Sequence, residues 1–198
     1  MKTKIAILGS TGSIGKSLLK IISKDKNNFE IVLLTANKNS KLLLRQAKIF
    51  KVKNLIINDK KTFESLSLNK KRNNINIYNN FDCYKKLFPK KIDYVMSSIV
   101  GLDGLYPTID IIKYTKKIAI ANKESIICAW NLISKELNKY KTNFIPVDSE
   151  HFSLWFAMKN INNKSIKKII LTASGGPFLN LSKNNFKKIK LIDAINHP

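Results

Sequence analysis

Short apolar runs alternate with amphipathic segments along most of this chain. A mostly apolar run such as residues 29–36 is typical of a buried strand, whereas apolar residues at helical spacing, such as Leu43, Ala47 and Phe50, predict a helix. Strands are predicted at residues 4–8, 29–36, 52–57, 75–78, 92–100, 117–121, 143–147 and 168–173. Helices are predicted at residues 14–22, 40–50, 105–114, 125–139 and 151–160.

Strands that alternate with helices predict an α/β fold, with a mostly parallel sheet and helices on both of its faces. The sequence contains no internal repeat of fixed period. A slight change in composition at residues 147–149 indicates a domain boundary there. We therefore expect one domain over residues 1–147 and the beginning of a second over residues 148–198.

The chain is strongly basic, with 36 lysines and arginines against 13 acidic residues and a net charge of +23. Arg45 and Arg72 are its only arginines, although arginine is the residue that reads phosphates and guanine bidentately. The lysines are spread from Lys2 to Lys190, and Lys, Asn and Ile, which are all abundant, share A/T-rich codons. These features favour a solvated basic surface, which attracts anionic small molecules, over a nucleic-acid partner.

The sequence also indicates where the protein resides. No apolar run approaches the roughly 18 residues of a membrane span, and residues 5–8 are too few for the apolar part of a signal peptide. The two cysteines, Cys83 and Cys128, lie far apart and form no metal-binding or disulfide framework. We therefore expect a cytoplasmic protein without a membrane partner.

The first of three glycine clusters follows a predicted strand and opens a predicted helix. Gly9 permits a tight turn, Gly12 lets a pyrophosphate approach the backbone, and Gly15 lets the helix and strand pack closely. The spacing is GxxGxxG rather than GxGxxG, so a purely structural turn is the alternative interpretation. The other two clusters are Gly101 with Gly104 and Gly175 with Gly176.

The end of the second predicted strand bears on the choice of nucleotide. An NAD site usually has an acidic residue there, to bind the ribose 2′-hydroxyl. This strand instead ends in Asn37, Lys38 and Asn39, and Glu30 lies at its opposite end. A lysine flanked by amides suits a 2′-phosphate and therefore favours NADP(H).

Two acidic residues, Asp148 and Glu150, follow the strand predicted at residues 143–147. If the chain stays extended, both carboxylates point to the same side and suit Mg²⁺ or Mn²⁺. The alternative interpretation is that they cap the following helix.

Two further polar segments follow predicted strands. In the first, Lys123 can hold an anionic substrate, and Asn122 and Glu124 can bind a cofactor or orient Lys123; a loop cap is the alternative interpretation. In the second, Ser174 and the glycines after it suit a phosphate, or form a plain turn.

Several motifs occur in order along the chain. They are GSTGSIG at residues 9–15, VGLDGL at 100–105, ANKES at 121–125, PVDSEH at 146–151, TASGGPF at 172–178 and HP at 197–198. Together they closely resemble the 1-deoxy-D-xylulose 5-phosphate reductoisomerase family. The resemblance implies a Rossmann-like NADPH-binding domain followed by the beginning of an α+β catalytic domain.

The resemblance also implies roles for individual residues. The residues implied to bind NADPH are Thr11, Gly12, Ser13, Ile14, Lys38, Asn39, Asn122 and Glu124. Those implied to bind the sugar phosphate are Lys123, Ser149, Glu150, Ser174 and His197. Asp148 and Glu150 are implied to bind Mg²⁺ or Mn²⁺, and Lys123, Asp148 and Glu150 to be catalytic. Asn37 stands where the family commonly has glycine.

The implied reaction is a metal-assisted rearrangement of 1-deoxy-D-xylulose 5-phosphate, followed by hydride transfer from NADPH to give 2-C-methyl-D-erythritol 4-phosphate. Family members continue well beyond Pro198 and are implied to be homodimers, so we expect this chain to be a fragment that binds NADPH without turnover. Two rival hypotheses are another NADP-dependent dehydrogenase of a small acid or semialdehyde, and a basic nucleic-acid-binding module.

Overall fold

The computed structural model describes residues 2–67, 75–162, 165–170, 176–178 and 180–195. The chain forms two compact units, residues 1–152 and residues 153–198.

The first unit is built around a seven-stranded sheet in the order β4-β3-β2-β1-β5-β6-β7, and every neighbouring pair is parallel. The strands are β1 (Thr3–Leu8), β2 (Phe29–Ala36), β3 (Asn54–Ile57), β4 (Asn76–Tyr78), β5 (Ile92–Ser97), β6 (Thr115–Ile120) and β7 (Asn143–Pro146). The helices are α1 (Ser13–Ser23), α2 (Ser40–Phe50), α3 (Lys60–Ser67), α4 (Tyr84–Leu87), α5 (Leu105–Ile111), α6 (Lys123–Tyr140) and α7 (Ser149–Met158). This architecture confirms the predicted α/β fold.

The core is divided between the two faces of the sheet. Ile5 and Ile7 of β1 belong to one buried cluster, together with residues of α1 and α2 such as Leu19 and Leu43. Ala6 and Leu8 belong to a second cluster, which includes residues of α5 and α6. Because residues 5–8 of β1 are buried on both faces, the sequence of this part of the strand is continuously apolar rather than alternating.

Several predicted boundaries differ from the observed ones. β5 ends at Ser97 rather than residue 100, because the chain then leaves the sheet, and Val100 is exposed. α6 begins at Lys123 rather than residue 125, because the side chain of Asn122 caps it. α7 begins at Ser149 rather than residue 151, because the side chain of Asp148 caps it.

In the second unit, the described residues contain the end of α7, two 3₁₀ segments at Gly176–Phe178 and Lys183–Lys188, and the short helix α8 (Leu191–Ile195). The strand predicted at residues 168–173 is wrong for residues 168–170, which have no regular secondary structure. The prediction assumed that the apolar residues Ile169 and Ile170 are buried, whereas both are exposed. The remaining residues of that predicted strand lie outside the described part of the chain.

No helix in the described part of the chain is both long enough and apolar enough to cross a membrane.

The stability of the first unit should depend on the core that supports the ends of the strands. Leu34 is fully buried in β2, so Leu34→Ala should lower the free energy of unfolding by about 2–5 kcal/mol in urea denaturation. Ile21→Ala is the control, because Ile21 is 63% exposed, and it should cost less than about 0.5 kcal/mol. Equal losses in the two variants would contradict this assignment of the core.

Candidate functional site

The chain order of the strands creates a crevice at one edge of the sheet. β1 lies between β2 and β5, so the connections after β1 and after β5 leave the sheet in opposite directions. Open parallel sheets bind ligands at such a switch point, at the carboxyl ends of their strands. A cleft of about 240 Å³ lies there. It is lined by Gly9, Thr11, Gly12, Thr35, Ala36, Asn37, Asn58, Phe81, Ser98, Ile99, Val100 and Asp103.

A larger cavity, of about 480 Å³, lies around Phe29 and Lys53 at the amino ends of β2 and β3. Its lining includes Ile22 and Phe50, which lie at the C-terminal ends of α1 and α2. C-terminal helix ends carry partial negative charge and disfavour anions. The smaller cleft therefore suits a phosphate-containing ligand better, although four lysines line the larger cavity.

The glycine turn at residues 9–15 forms one wall of the cleft. Gly9 has a φ of +80°, and a Cβ atom there would lie 2.7 Å from the carbonyl oxygen of Ser98. A Cβ atom on Gly15 would lie 2.5 Å from the carbonyl oxygen of Gly9. Two of the predicted roles of glycine, a tight turn and close packing, are therefore confirmed by this geometry.

The N-terminus of α1 is arranged to receive an anion. Gly12 is its N-cap residue and supplies no side-chain hydrogen bond, and the first turn contains no acidic residue. The first N–H groups of a helix have no partner within the helix, and they carry partial positive charge. Ser13 and Ile14, which were predicted to bind a nucleotide, lie in this turn and are exposed.

Buried polar groups of β2 and α2 hold the glycine turn in place through hydrogen bonds. The N–H of Gly9 donates to the hydroxyl of Thr35 (2.9 Å), and the N–H of Ser10 donates to the carbonyl oxygen of Thr35 (2.9 Å). The hydroxyl of Ser10 donates to Oε1 of Gln46 at 2.8 Å. Sequence reasoning missed Gln46, because one polar residue within an amphipathic helix gives no signal of a partner 36 positions away.

Lys38 and Asn39 are exposed just beyond β2, where the sequence predicts recognition of a 2′-phosphate. Asn39 also caps α2, since its Oδ1 accepts the N–H of Leu42 at 3.2 Å. Asp59, which follows β3, is near enough to Lys38 to be affected by its charge. The pKa of Asp59 is lowered mainly by the hydrogen bonds from Thr62, and the charge of Lys38 adds to this effect.

Asn122 joins two loops at the edge of the sheet. Its Nδ2 donates to the carbonyl oxygens of Ile99 (2.5 Å) and Gly101 (2.7 Å), and its Oδ1 accepts the N–H of Ser125 (2.7 Å). Both amide hydrogens are therefore used within the protein. A hydrogen bond donated by Nδ2 of Asn122 to a cofactor would require one of these bonds to break.

Lys123 and Glu124 are exposed in the first turn of α6, and Asp148 lies beyond the end of β7. Partial burial favours the neutral form of Asp148, but the hydrogen bonds from His151 and the nearby charges, including that of Lys123, outweigh this effect. They hold the pKa of the carboxyl group below its usual value. Lys123 and Asp148, which are 25 positions apart in sequence, therefore lie near enough for the charge of Lys123 to lower the pKa of Asp148.

The extended geometry considered for Asp148 and Glu150 is wrong. Oδ1 of Asp148 accepts the N–H of His151 at 2.7 Å and caps α7, and Glu150 lies in the first turn of that helix. The alternative interpretation, a helix cap, therefore describes Asp148. The hydroxyl of Ser149 donates to Oε2 of Glu150 at 3.1 Å.

Oxygen ligands of this kind suit Mg²⁺ in chemical terms, but two carboxylates do not complete a site. Within the described ranges, no group of three or more histidines, cysteines, aspartates or glutamates is placed to hold a metal ion. Ser174 and His197, which were predicted to contact substrate, lie outside the described residues.

Comparisons with known proteins agree with one another. The family model for 1-deoxy-D-xylulose 5-phosphate reductoisomerase matches residues 5–130, and the model for the C-terminal domain of the same enzyme matches residues 144–198. The 1-deoxy-D-xylulose 5-phosphate reductoisomerase of Pelagibacter ubique (strain HTCC1062) is 57% identical over 197 residues, which are 98% of this chain and 51% of that protein.

Solved structures show the same relationship. The Zymomonas mobilis enzyme in complex with NADPH has a TM-score of 0.85 and 31% identity, covering 100% of this chain and 52% of that one. A reductoisomerase in complex with NADPH, fosmidomycin and magnesium has a TM-score of 0.78 and 31% identity, covering 99% and 51%. The chain thus spans about half the length of the relatives that it matches.

The close packing of the glycine turn can be tested without a ligand. Gly15→Ala should lower the free energy of unfolding by about 1–3 kcal/mol, because the added methyl group meets main-chain atoms that cannot rotate away. Gly12→Ala is the matched control, since its Cβ atom would lie 3.3 Å from its nearest neighbour, the carbonyl oxygen of Gly9. Urea denaturation that found Gly15→Ala as stable as Gly12→Ala would contradict the packing described here.

Proposed function

Because this chain belongs to the 1-deoxy-D-xylulose 5-phosphate reductoisomerase family, we propose that the protein catalyses the reaction of that family. It converts 1-deoxy-D-xylulose 5-phosphate to 2-C-methyl-D-erythritol 4-phosphate, with NADPH as the reductant. The observation that carries the proposal is the glycine turn at the switch point of the sheet, which opens onto an uncapped helix N-terminus. Family membership favours this activity over both rival hypotheses.

The NADPH-binding half of the proposal rests on two groups of residues. The main chain of Thr11, Gly12, Ser13 and Ile14 binds the pyrophosphate, supported by the partial positive charge at the start of α1. Lys38 and Asn39 bind the 2′-phosphate beyond the end of β2, where the three residues that follow the strand, Asn37, Lys38 and Asn39, include no acidic residue. Asn122 and Glu124 complete the cofactor site, with Asn122 holding the loops that surround it.

The catalytic half of the proposal rests on Lys123, Asp148 and Glu150. When bound, NADPH supplies the hydride, and Mg²⁺ or Mn²⁺ polarises the carbonyl and a neighbouring hydroxyl of the substrate. Asp148 stays ionised, because its pKa is lowered, and together with Glu150 offers carboxylate oxygens to the cation. Lys123 is exposed and offsets the negative charge that develops on the substrate oxygen.

The family resemblance extends the proposal beyond these residues. Ser149, Glu150, Ser174 and His197 contact the sugar phosphate, with Ser174 near the phosphate group. Residues 1–147 form the NADPH-binding domain and residues 148–198 begin the catalytic domain, a division supported by the separate family models at 5–130 and 144–198. The enzyme works in the cytoplasm as a homodimer; its two free cysteines are consistent with a reducing compartment.

The preference for NADPH should depend on Lys38. The protein should bind NADPH much more tightly than NADH, and Lys38→Glu should weaken NADPH binding by roughly 10- to 100-fold while leaving NADH binding nearly unchanged. Fluorescence titration with each nucleotide measures both affinities.

Lys48→Glu is the matched control, because it makes the same charge change on the exposed side of α2 near its far end. That variant should retain its preference for NADPH. Equal affinity of the unmodified protein for the two nucleotides would rule out the assigned role of Lys38.

The metal-binding role of Asp148 can be separated from its capping role. Asp148→Asn keeps an oxygen that can accept the N–H of His151, so α7 should still be capped, but the variant lacks the negative charge that a divalent cation requires. Substrate-dependent NADPH oxidation by the full-length protein should fall by at least about a hundredfold in Asp148→Asn and in Glu150→Gln.

NADPH affinity should be unchanged in both variants, and Glu136→Gln on α6 serves as the control for loss of an acidic residue elsewhere. Activity that persisted in both variants and in the presence of a chelator would show that these carboxylates do not hold the metal.

A further inference from the structure

Gln46 is a buried amide in a part of α2 that otherwise faces the core. It is 5% exposed, and its helical neighbours Leu43 and Ala47 are buried in the apolar cluster beneath α2. A buried amide is costly unless its polar atoms are paired. Both polar atoms of Gln46 are paired, and both with the same residue: Oε1 accepts the hydroxyl of Ser10 (2.8 Å), and Nε2 donates to the carbonyl oxygen of Ser10 (2.9 Å).

Ser10 is the second residue of the glycine turn, and it is fully buried. Neither Ser10 nor Gln46 lines the cleft, whereas the turn residues on either side of Ser10, Gly9 and Thr11, do. Gln46 therefore contacts the turn through Ser10, which does not line the cleft, so any effect of Gln46 on a ligand in the cleft passes through Ser10.

The same helix that carries Gln46 begins beside Lys38. Asn39 caps α2, so Lys38 and Asn39 are attached directly to its N-terminus. The two hydrogen bonds between Gln46 and Ser10 join this 11-residue helix to the glycine turn, and together with the core packing of Leu43 and Ala47 they set where its N-terminus lies relative to the turn. The turn and the start of α2 are the two places to which we assign the pyrophosphate and the 2′-phosphate.

We propose that Gln46 is a positioning residue that sets the spacing between the pyrophosphate subsite and the 2′-phosphate subsite of the cleft. The inference rests on the proposed binding of NADPH. A ligand that must contact both subsites at once gains affinity when they are held at the correct spacing, because less freedom is lost on binding. A ligand that contacts only one subsite gains nothing from the spacing.

A ligand that contacts both subsites and a ligand that contacts one should therefore respond differently to loss of Gln46, whereas a general loss of stability would weaken the binding of both. Gln46→Leu removes both hydrogen bonds to Ser10 while nearly preserving side-chain volume. It should weaken NADPH binding by about tenfold. Binding of 2′-AMP, which carries the 2′-phosphate but no pyrophosphate, should change by less than about twofold. Calorimetry with NADPH and NMR titration with 2′-AMP measure the two affinities on the 198-residue chain.

Two further variants complete the experiment. Ser10→Ala removes the hydroxyl, with its contacts to Oε1 of Gln46 (2.8 Å) and to the carbonyl oxygen of Thr35 (3.2 Å). It keeps the bond from Nε2 of Gln46 to the carbonyl oxygen of Ser10 and the bond from the N–H of Ser10 to Thr35, so its loss of NADPH affinity should be smaller, about threefold. Thr142→Val removes buried hydrogen bonds to the carbonyl oxygens of Ile112 and Thr115, and neither Thr142 nor these partners line the cleft. It should lower the melting temperature while leaving NADPH affinity unchanged.

The outcomes are distinct. Unchanged NADPH affinity in both Gln46→Leu and Ser10→Ala overturns the positioning role, and so does an equal loss of NADPH and 2′-AMP binding. If Gln46→Leu does not fold, Ser10→Ala and Thr142→Val provide the test. Reduced NADPH affinity in Ser10→Ala but not in Thr142→Val supports the positioning role, and equal NADPH affinity in the two variants overturns it. An unmodified chain that fails to bind NADPH overturns the proposed function itself, and the positioning role with it.

Discussion

The structure depends on how closely the glycine turn packs between β1, β2 and β5. A Cβ atom at Gly9 would meet the main chain after β5, and one at Gly15 would meet the turn itself. Because these contacts are between main-chain atoms, they cannot be relaxed by a change of side-chain conformation. The close packing brings the start of α1 to the switch point of the sheet, and the position of the cleft follows from it.

The surroundings of the turn extend this constraint to the rest of the site. Thr35 holds the turn against the end of β2, and Gln46 ties it to α2. Across the cleft, Asn122 joins the loop after β5 to the N-terminus of α6, which carries Lys123. Buried side-chain amides and a hydroxyl thus hold the loops of the proposed nucleotide site and, separately, the loop beside the proposed substrate site.

Much of this organisation is predictable from the sequence, because it has local causes. β2 is predicted to its observed bounds, since residues 31–34 are apolar without interruption and the residues that flank the strand, Asn28 and Asn37, are polar. The strand predicted at residues 168–170 is wrong because the isoleucines there are exposed, and the sequence does not distinguish exposed from buried isoleucines. The extended geometry for Asp148 and Glu150 is wrong because Asp148 caps α7. Gln46 was missed because its role depends on a partner that is distant in sequence.

The central claim is that NADPH lies along the start of α1 with its 2′-phosphate near Lys38. The most direct measurement is a ¹H–¹⁵N NMR titration of the protein with NADPH. The account predicts that the largest amide shifts occur at residues 11–15 and 38–39, at the carboxyl ends of β1 and β2. Shifts confined to the larger cavity around Lys26 and Lys53, at the opposite end of the strands, would contradict it.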